Sequence, residues 1–495
     1  MKTLFVYSTQ KTILPRKPLL GQEGIYHGMS SVAGMLRRHG HECELVVLDR
    51  ANGKRNLRLL KEKILAFNPA IVAFTAVFSE FSFILQIAEW VKTTYPNLFL
   101  IAGGVHITLN PSESYLSFFD AICIGEGEYP MLELVENLER QKPVDNIQNL
   151  WIKTSLGVKK NPPRPFIQNL DELSFSYRDM WQEWILKPAT KPAVLLGRGC
   201  PFGCTYCSNH KLRNISEGKY VRMRSPENIL KEIWSLYRSL PGITEIYLEV
   251  ETMVTDKQWF VKFCDALEAF GKDAGFSIKF GTNLRIFPNM DIEFVFDQFK
   301  RAGITSTTVG LESGNYRIRK EILHRDYSNE LMLKVAAIAK ERGVDVALFN
   351  MVGLPTETPV EFAETVLMNQ LIQPAFHATS IFFPYPGTEL ADLCNRMNIM
   401  PKKINTSDER QLAVLDLPGF SKKQIQKSFD SFHYQVYKKR KNRSIIHLLI
   451  YFSMRYLGHN FYANLKIRFI RILYRTKSIK FLSRQWFSIF QKSVK

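Results

Sequence analysis

Short apolar runs rich in β-branched and aromatic residues fall at 3–7, 42–48, 71–77, 98–102 and 120–124. Between and after them, apolar residues recur at helical spacing over 24–39, 57–67, 80–94 and 130–138. Strand–helix alternation at this interval predicts a parallel sheet with helices on both faces, an α/β domain over 1–140. The stretch 141–187 breaks the rhythm. Its Asn161-Pro162-Pro163-Arg164-Pro165 can neither continue a helix nor sit in a central strand, so it reads as a linker. Strand-like runs then return at 193–196, 245–249, 278–282, 306–310, 344–350 and 379–383, with helical patterns such as 225–239, 256–270, 291–302 and 329–342 between them. Six such units predict a partial (β/α)6 barrel over 188–400. The remainder, 401–495, reads as a helical, basic C-terminal region.

In a parallel sheet, ligands bind beyond the carboxyl ends of the strands. In the first domain those ends carry Thr75-Ala76, Gly103-Gly104-Val105-His106 and Gly125-Glu126-Gly127-Glu128. Glycine there lets backbone approach a ligand closely, although the same residues also serve as ordinary turns.

Composition changes this picture little, with 23% charged residues and an ordinary apolar fraction. Charge changes it more. Of the net +19, little comes from the body of the chain: 438–495 holds 15 Lys and Arg, and no acidic residue follows Asp430. Lys and Arg alternate there with Phe, Tyr, Trp, Leu and Ile. That mixture suits an interfacial helix on the anionic inner face of a membrane, or a helical extension packed on the barrel. It favours both over a nucleic-acid backbone. The start, MKTLFVYSTQKT, is no signal peptide, and no run reaches eighteen apolar residues. A cytoplasmic, peripheral protein is expected. In that reducing compartment, clustered cysteines serve metals or redox chemistry rather than structural disulfides.

Four of the seven cysteines, Cys43, Cys123, Cys264 and Cys394, are scattered in apolar runs and read as small buried side chains. The other three share one loop after the first barrel strand: Gly197-Arg198-Gly199-Cys200-Pro201-Phe202-Gly203-Cys204-Thr205-Tyr206-Cys207. Iron–sulfur clusters usually take four thiolates, so three leave one iron open to a substrate or cofactor. The alternative is a zinc loop closed by His210.

This C-x3-C-x2-C loop, with an aromatic before its last cysteine, resembles the signature of the radical S-adenosylmethionine (SAM) superfamily. The resemblance implies that Cys200, Cys204 and Cys207 hold a [4Fe-4S] cluster and that SAM chelates the open iron. It also implies SAM contacts at Tyr206, Glu251, Arg285, the Glu312-Ser313 loop and Gly353. Residues 1–140 resemble the Rossmann-like cobalamin-binding domain that precedes many such barrels, implying cobalamin contacts at Thr75, Gly103, Gly104, His106, Gly125, Glu126 and Gly127. The Asp-x-His-x-x-Gly motif that gives cobalt a histidine in methionine-synthase-like proteins is missing. The overall likeness is to the anaerobic Mg-protoporphyrin cyclase and hopanoid methylase type of enzyme. It implies reductive cleavage of SAM, fed by a flavodoxin- or ferredoxin-like reductant, and C-methylation of a small-molecule or lipid-like substrate. Cyclisation or rearrangement is the alternative. A tRNA or protein methylthiotransferase would need three more N-terminal cysteines, and only Cys43 and Cys123 are there. A non-enzymatic module would not need the cysteine loop.

Overall fold

A computed structural model describes residues 1–9, 17–187, 191–273, 278–402, 406 and 409–439. The basic region from 440 onward lies outside the described residues. The chain divides into two compact units. Of the described residues, the first holds those within 1–203, 207–243 and 385–388, and the second those within 204–206 and 244–384 and from 389 to 439.

The first unit is built on a seven-stranded sheet. Its order is Glu42–Asp49, Lys2–Thr9, Ile71–Thr75, Phe99–Gly103, Ala121–Cys123, Leu150–Thr154 and Gly157–Lys160. The first five strands run parallel and the last two are antiparallel. Leu4, Phe5 and Val6 are all buried although they point to alternate faces, as a strand covered on both sides requires. Helices His27–Arg38, Lys54–Phe67, Phe78–Thr94 and Glu128–Glu139 supply the cover. In Lys54–Phe67 the buried residues Asn56, Leu60, Ile64 and Phe67 fall on one helical face. Asn56 also pins that helix to a strand end, because its side chain accepts from Asp49 N and donates to Asp49 O.

The expected linker is not one. Residues 150–160 form the hairpin that completes the sheet, and Trp181, fully buried, donates from Nε1 to Ser30 Oγ at 2.8 Å. Pro162, Pro163 and Pro165 lie just past the last strand, so they end a hairpin where the sequence pattern suggested a break between domains. The first unit also holds the strand Ala193–Leu195, the ladder of Gly197–Arg198 with Arg222–Met223, and the helix Pro226–Ser239, capped by Ser225 Oγ accepting from Asn228 N.

The second unit carries five parallel strands in sequence order: Glu245–Glu249, Lys279–Leu284, Ile304–Glu312, Asp345–Val352 and Phe376–Ile381. Helices Lys257–Asp273, Ile292–Arg301, Asn329–Glu341 and Pro359–Ile372 connect them. Asp291, Ser328 and Thr358 cap the last three with side-chain oxygens, and Thr358 with Glu361 forms a full capping box. These are βα units as the pattern predicted. Among the described residues no helix is long and apolar enough to cross a membrane.

Candidate functional site

The loops at the carboxyl ends of the first unit's parallel strands enclose a cavity of about 390 Å³. Thr75, Gly103, Gly104, Gly125, Glu126 and Gly127 all line it. Gly104 sits at φ 102°, and a Cβ there would lie 2.8 Å from Thr75 Oγ1 and 2.9 Å from Ala76 O. Only glycine fits both the angle and the space. Much of the remaining wall is apolar, including Val32, Ile101, Met131 and Ile215. Glycine backbone at the strand ends, apolar walls and a few charges suit a large flat cofactor with polar edges, as cobalamin is.

His106 is a correction. It lies on the short helix Val105–Leu109, where Val105 and Thr108, three apart, face the cavity. The His106 ring instead packs on Phe81 and Phe78, with centroids 4.5 and 5.3 Å away, and burial pushes its pKa down to about 4. It is a neutral core histidine. A different histidine, His27, reaches the cavity wall beside Tyr26. Burial, then the charge of Arg178, brings its pKa down to about 4, and Nδ1 lies 3.1 Å from Ser176 Oγ. Its place at the start of the first helix followed no local motif.

The acidic side chains of the glycine loop are paired. Arg198 Nη1 donates to Glu126 Oε1 at 2.8 Å, and Arg198 Nη2 to Glu128 Oε1 at 2.5 Å. Arg222 Nη1 donates to both Glu126 oxygens, at 3.1 and 3.0 Å. Burial alone would raise the Glu128 pKa, but the charge and hydrogen bond of Arg198 outweigh it and hold that carboxyl below its ordinary value.

The cysteine loop begins two residues after Arg198. Gly199 holds φ 87°, and a side chain there would collide with the Tyr220 carbonyl. Cys200 and Cys207 are half-buried in the first unit. Arg213 Nη2 donates to Cys200 O at 2.9 Å, and Asn209 Nδ2 to Cys207 Sγ at 3.5 Å. Cys204 is buried in the second unit, where Arg285 Nη1 donates to its Sγ at 2.8 Å. Thus Arg285, expected at the SAM carboxylate, is engaged by the Cys204 sulfur.

In the second unit the strand ends gather a second polar group. Tyr206 Oη donates to Glu312 Oε1 at 2.9 Å. Arg325 Nη1 donates to Tyr206 Oη at 3.0 Å and stands 3.6 Å from Glu312, while its Nη2 donates to Gly310 O. Burial pushes the Tyr206 phenol well up, against the opposing pull of Arg325. Glu312 itself sits at φ 63°. Ser313 is fully buried and holds the turn, its Oγ accepting from Asn315 N and its carbonyl from Arg319. Gly353, at φ 79°, donates from N to Glu357 Oε2 at 2.7 Å. Glu251 is exposed, whereas its neighbour Glu249 is half-buried and accepts from Asn283 Nδ2 at 3.1 Å. Burial, then the charge of Glu251, raises the Glu249 pKa. Arg325, Asn283 and Glu249 were not among the expected residues.

A profile of the radical SAM superfamily matches residues 194–368, and one of the B12 binding domain matches residues 20–135. With the fold and the cysteine loop, they place the chain in the radical SAM superfamily, among the members that carry a B12-binding domain. The cofactors implied by the sequence, an iron–sulfur cluster, SAM and cobalamin, are those of this domain pair. More particularly, the chain is similar to the uncharacterized methyltransferase PH0819 of Pyrococcus horikoshii. It is 27% identical to it over 449 residues, which cover 89% of this chain and 93% of the relative. It is 24% identical to the anaerobic magnesium-protoporphyrin IX monomethyl ester cyclase of Rubrivivax gelatinosus over 72% of this chain, and spans 64% of that relative's length. Its fold is that of the cobalamin-dependent SAM radical enzyme OxsB, solved with aqua-cobalamin bound. The TM-score is 0.66 at 16% identity, covering 99% of this chain and 75% of that one.

Proposed function

We propose that the protein is a cobalamin-dependent radical SAM methyltransferase that adds a methyl group to carbon in a small-molecule or lipid-like substrate. One observation carries this most. The glycine-loop residues expected to hold cobalamin share one cavity with Arg198 and Gly199, which lead directly into Cys200. In this reading Cys200, Cys204 and Cys207 hold the cluster. Glu312, Tyr206 and Arg325 bind and orient SAM by charge and hydrogen bonds, Arg285 steadies Cys204, and Glu249 takes the role first expected of Glu251. The apolar cavity wall holds cobalamin and excludes water. Bound together, these groups supply a 5′-deoxyadenosyl radical and a transferable methyl group. Cys43 and Cys123 are buried in the apolar core and are two where a second cluster needs three, which weighs against a methylthiotransferase. A flavodoxin- or ferredoxin-like carrier supplies electrons, and the basic tail rests on anionic lipid; flotation with anionic vesicles tests the latter.

The central test is anaerobic reconstitution with iron, sulfide and hydroxocobalamin, followed by product analysis. Formation of both 5′-deoxyadenosine and S-adenosylhomocysteine supports methyl transfer. Formation of 5′-deoxyadenosine alone points to cyclisation or rearrangement. Neither product, from protein carrying a full cluster and cobalamin, overturns the reading.

A further inference from the structure

The B12 cavity and the cysteine loop meet at four buried charges. Arg198 and Arg222 face Glu126 and Glu128, with side chains 19%, 4%, 16% and 3% exposed. Such a group is costly to assemble. Desolvating four charges offsets much of their attraction, and well-packed apolar side chains would often be as stable. Its use therefore has to be sought in placement.

Three features show what it places. Arg198 stands between two glycines that leave it little freedom: a Cβ at Gly197 would lie 2.5 Å from Arg222 O, and Gly199 crosses against Tyr220. Its backbone is locked into the ladder with Arg222–Met223. Its planar fork is shared: Nη1 donates to Glu126 and, at 3.4 Å, to Glu128, while Nη2 donates to Glu128 and to Ser31 Oγ. Glu126 is tied further, its Oε2 accepting from Ile167 N at 2.8 Å. So the loop that lines the cavity and the residue two before Cys200 are held by one bidentate pairing. Lysine could not reproduce that geometry.

We infer that Arg198 is a positioning residue that couples occupation of the B12 cavity to the seating of the cluster loop. The inference rests on the proposed reading of the cavity and of the three cysteines. Filling the cavity presses on Gly125, Glu126 and Gly127, and the clasp carries that constraint to Cys200. By thermodynamic linkage the coupling is reciprocal: a cluster in the loop tightens cobalamin binding by the factor with which cobalamin stabilises the cluster.

The test uses the full-length protein. Hydroxocobalamin is titrated into it with and without iron and sulfide reconstitution, and read by corrin absorbance. Separately, iron loss to a chelator is timed with the cavity filled or empty. The wild type should bind hydroxocobalamin about fivefold more tightly or better with the cluster present. It should also lose iron correspondingly more slowly when the cavity is filled. In Arg198→Met the tightening should vanish, and Arg198→Lys should restore only part of it. Should Arg198→Met fail to fold, Glu126→Gln, which leaves Glu128 to hold Arg198, should reduce the factor. Arg58→Met, an exposed site on another helix, should leave it unchanged. Equal affinity with and without the cluster in the wild type, or full coupling in folded Arg198→Met, would overturn the proposal. No binding of hydroxocobalamin in any form would overturn the cavity reading itself.

Discussion

Each unit places glutamate in a glycine-containing segment at or just past the end of a parallel strand, and the two segments treat it differently. In Gly125-Glu126-Gly127-Glu128 the acids are paired with two arginines and form part of the wall of an open cavity. In Gly310-Leu311-Glu312-Ser313-Gly314 the acid is pinned by Tyr206 and Arg325, and its own backbone is twisted to positive φ. The first arrangement shapes room for a large ligand with glycine loops whose acids are neutralised. The second holds one carboxylate at a fixed point with an oxygen to spare. The lesson is that a strand-end acid can serve a cavity or a single contact, according to which cations reach it.

The largest effect should come from the cysteine loop that leads into Tyr206. Cys204→Ala should reduce 5′-deoxyadenosine formation to background and lower iron content, measured on anaerobically reconstituted protein. Next, Glu312→Gln should weaken SAM binding by about tenfold to a hundredfold, because hydrogen bonds to charged groups are worth roughly 1.5–3 kcal/mol. Equilibrium dialysis would show it, and the hydroxocobalamin titration should not move. Equal loss of both ligands would erase the distinction drawn between the two loops. Then Gly104→Ala should cost about 1–3 kcal/mol in thermal unfolding, from positive φ and from crowding against Thr75, and should impair hydroxocobalamin binding alone.

The smallest effect concerns Glu357, whose carboxyl is buried and has its pKa pushed up to about 8, with hydrogen bonds from Gly353 and Leu354 pulling it the other way. Between the ordinary carboxylate range and pH 8, the unfolded chain has released this proton and the folded chain keeps it. Stability therefore falls as pH rises through that window and levels off above it. Glu357→Gln should flatten the fall and raise stability near pH 8 by on the order of 2 kcal/mol, read from denaturant melts across pH.

What was legible in the sequence was local. The cysteine spacing and the glycines after strands each state their meaning within a few residues. What was hidden depended on distance or on facing. Arg198 meets Glu126 across 72 positions, and Arg325 meets Tyr206 across 119. Neither arginine is marked by its neighbours. Glu249 and Glu251 differ only in where the strand stops: Glu249 is the last residue of the strand, on the side of Tyr247, while Glu251 lies past its end in solvent. His106 was misplaced because its segment was taken for a loop. As a helical turn it sends Val105 and Thr108 to the cavity and the imidazole into the phenylalanines. The prolines at 162–165 were read as a boundary because a hairpin's end and a domain's end look alike in sequence.

The path of the backbone has a practical corollary. It passes from one compact body to the other five times, at 203, 206, 243, 384 and 388. No single cut can release either half intact, and neither can be exchanged between proteins like a bead on a string. Fragments ending near 190 or starting there should express as incomplete folds, because each lacks strands or loops of the unit it was meant to carry.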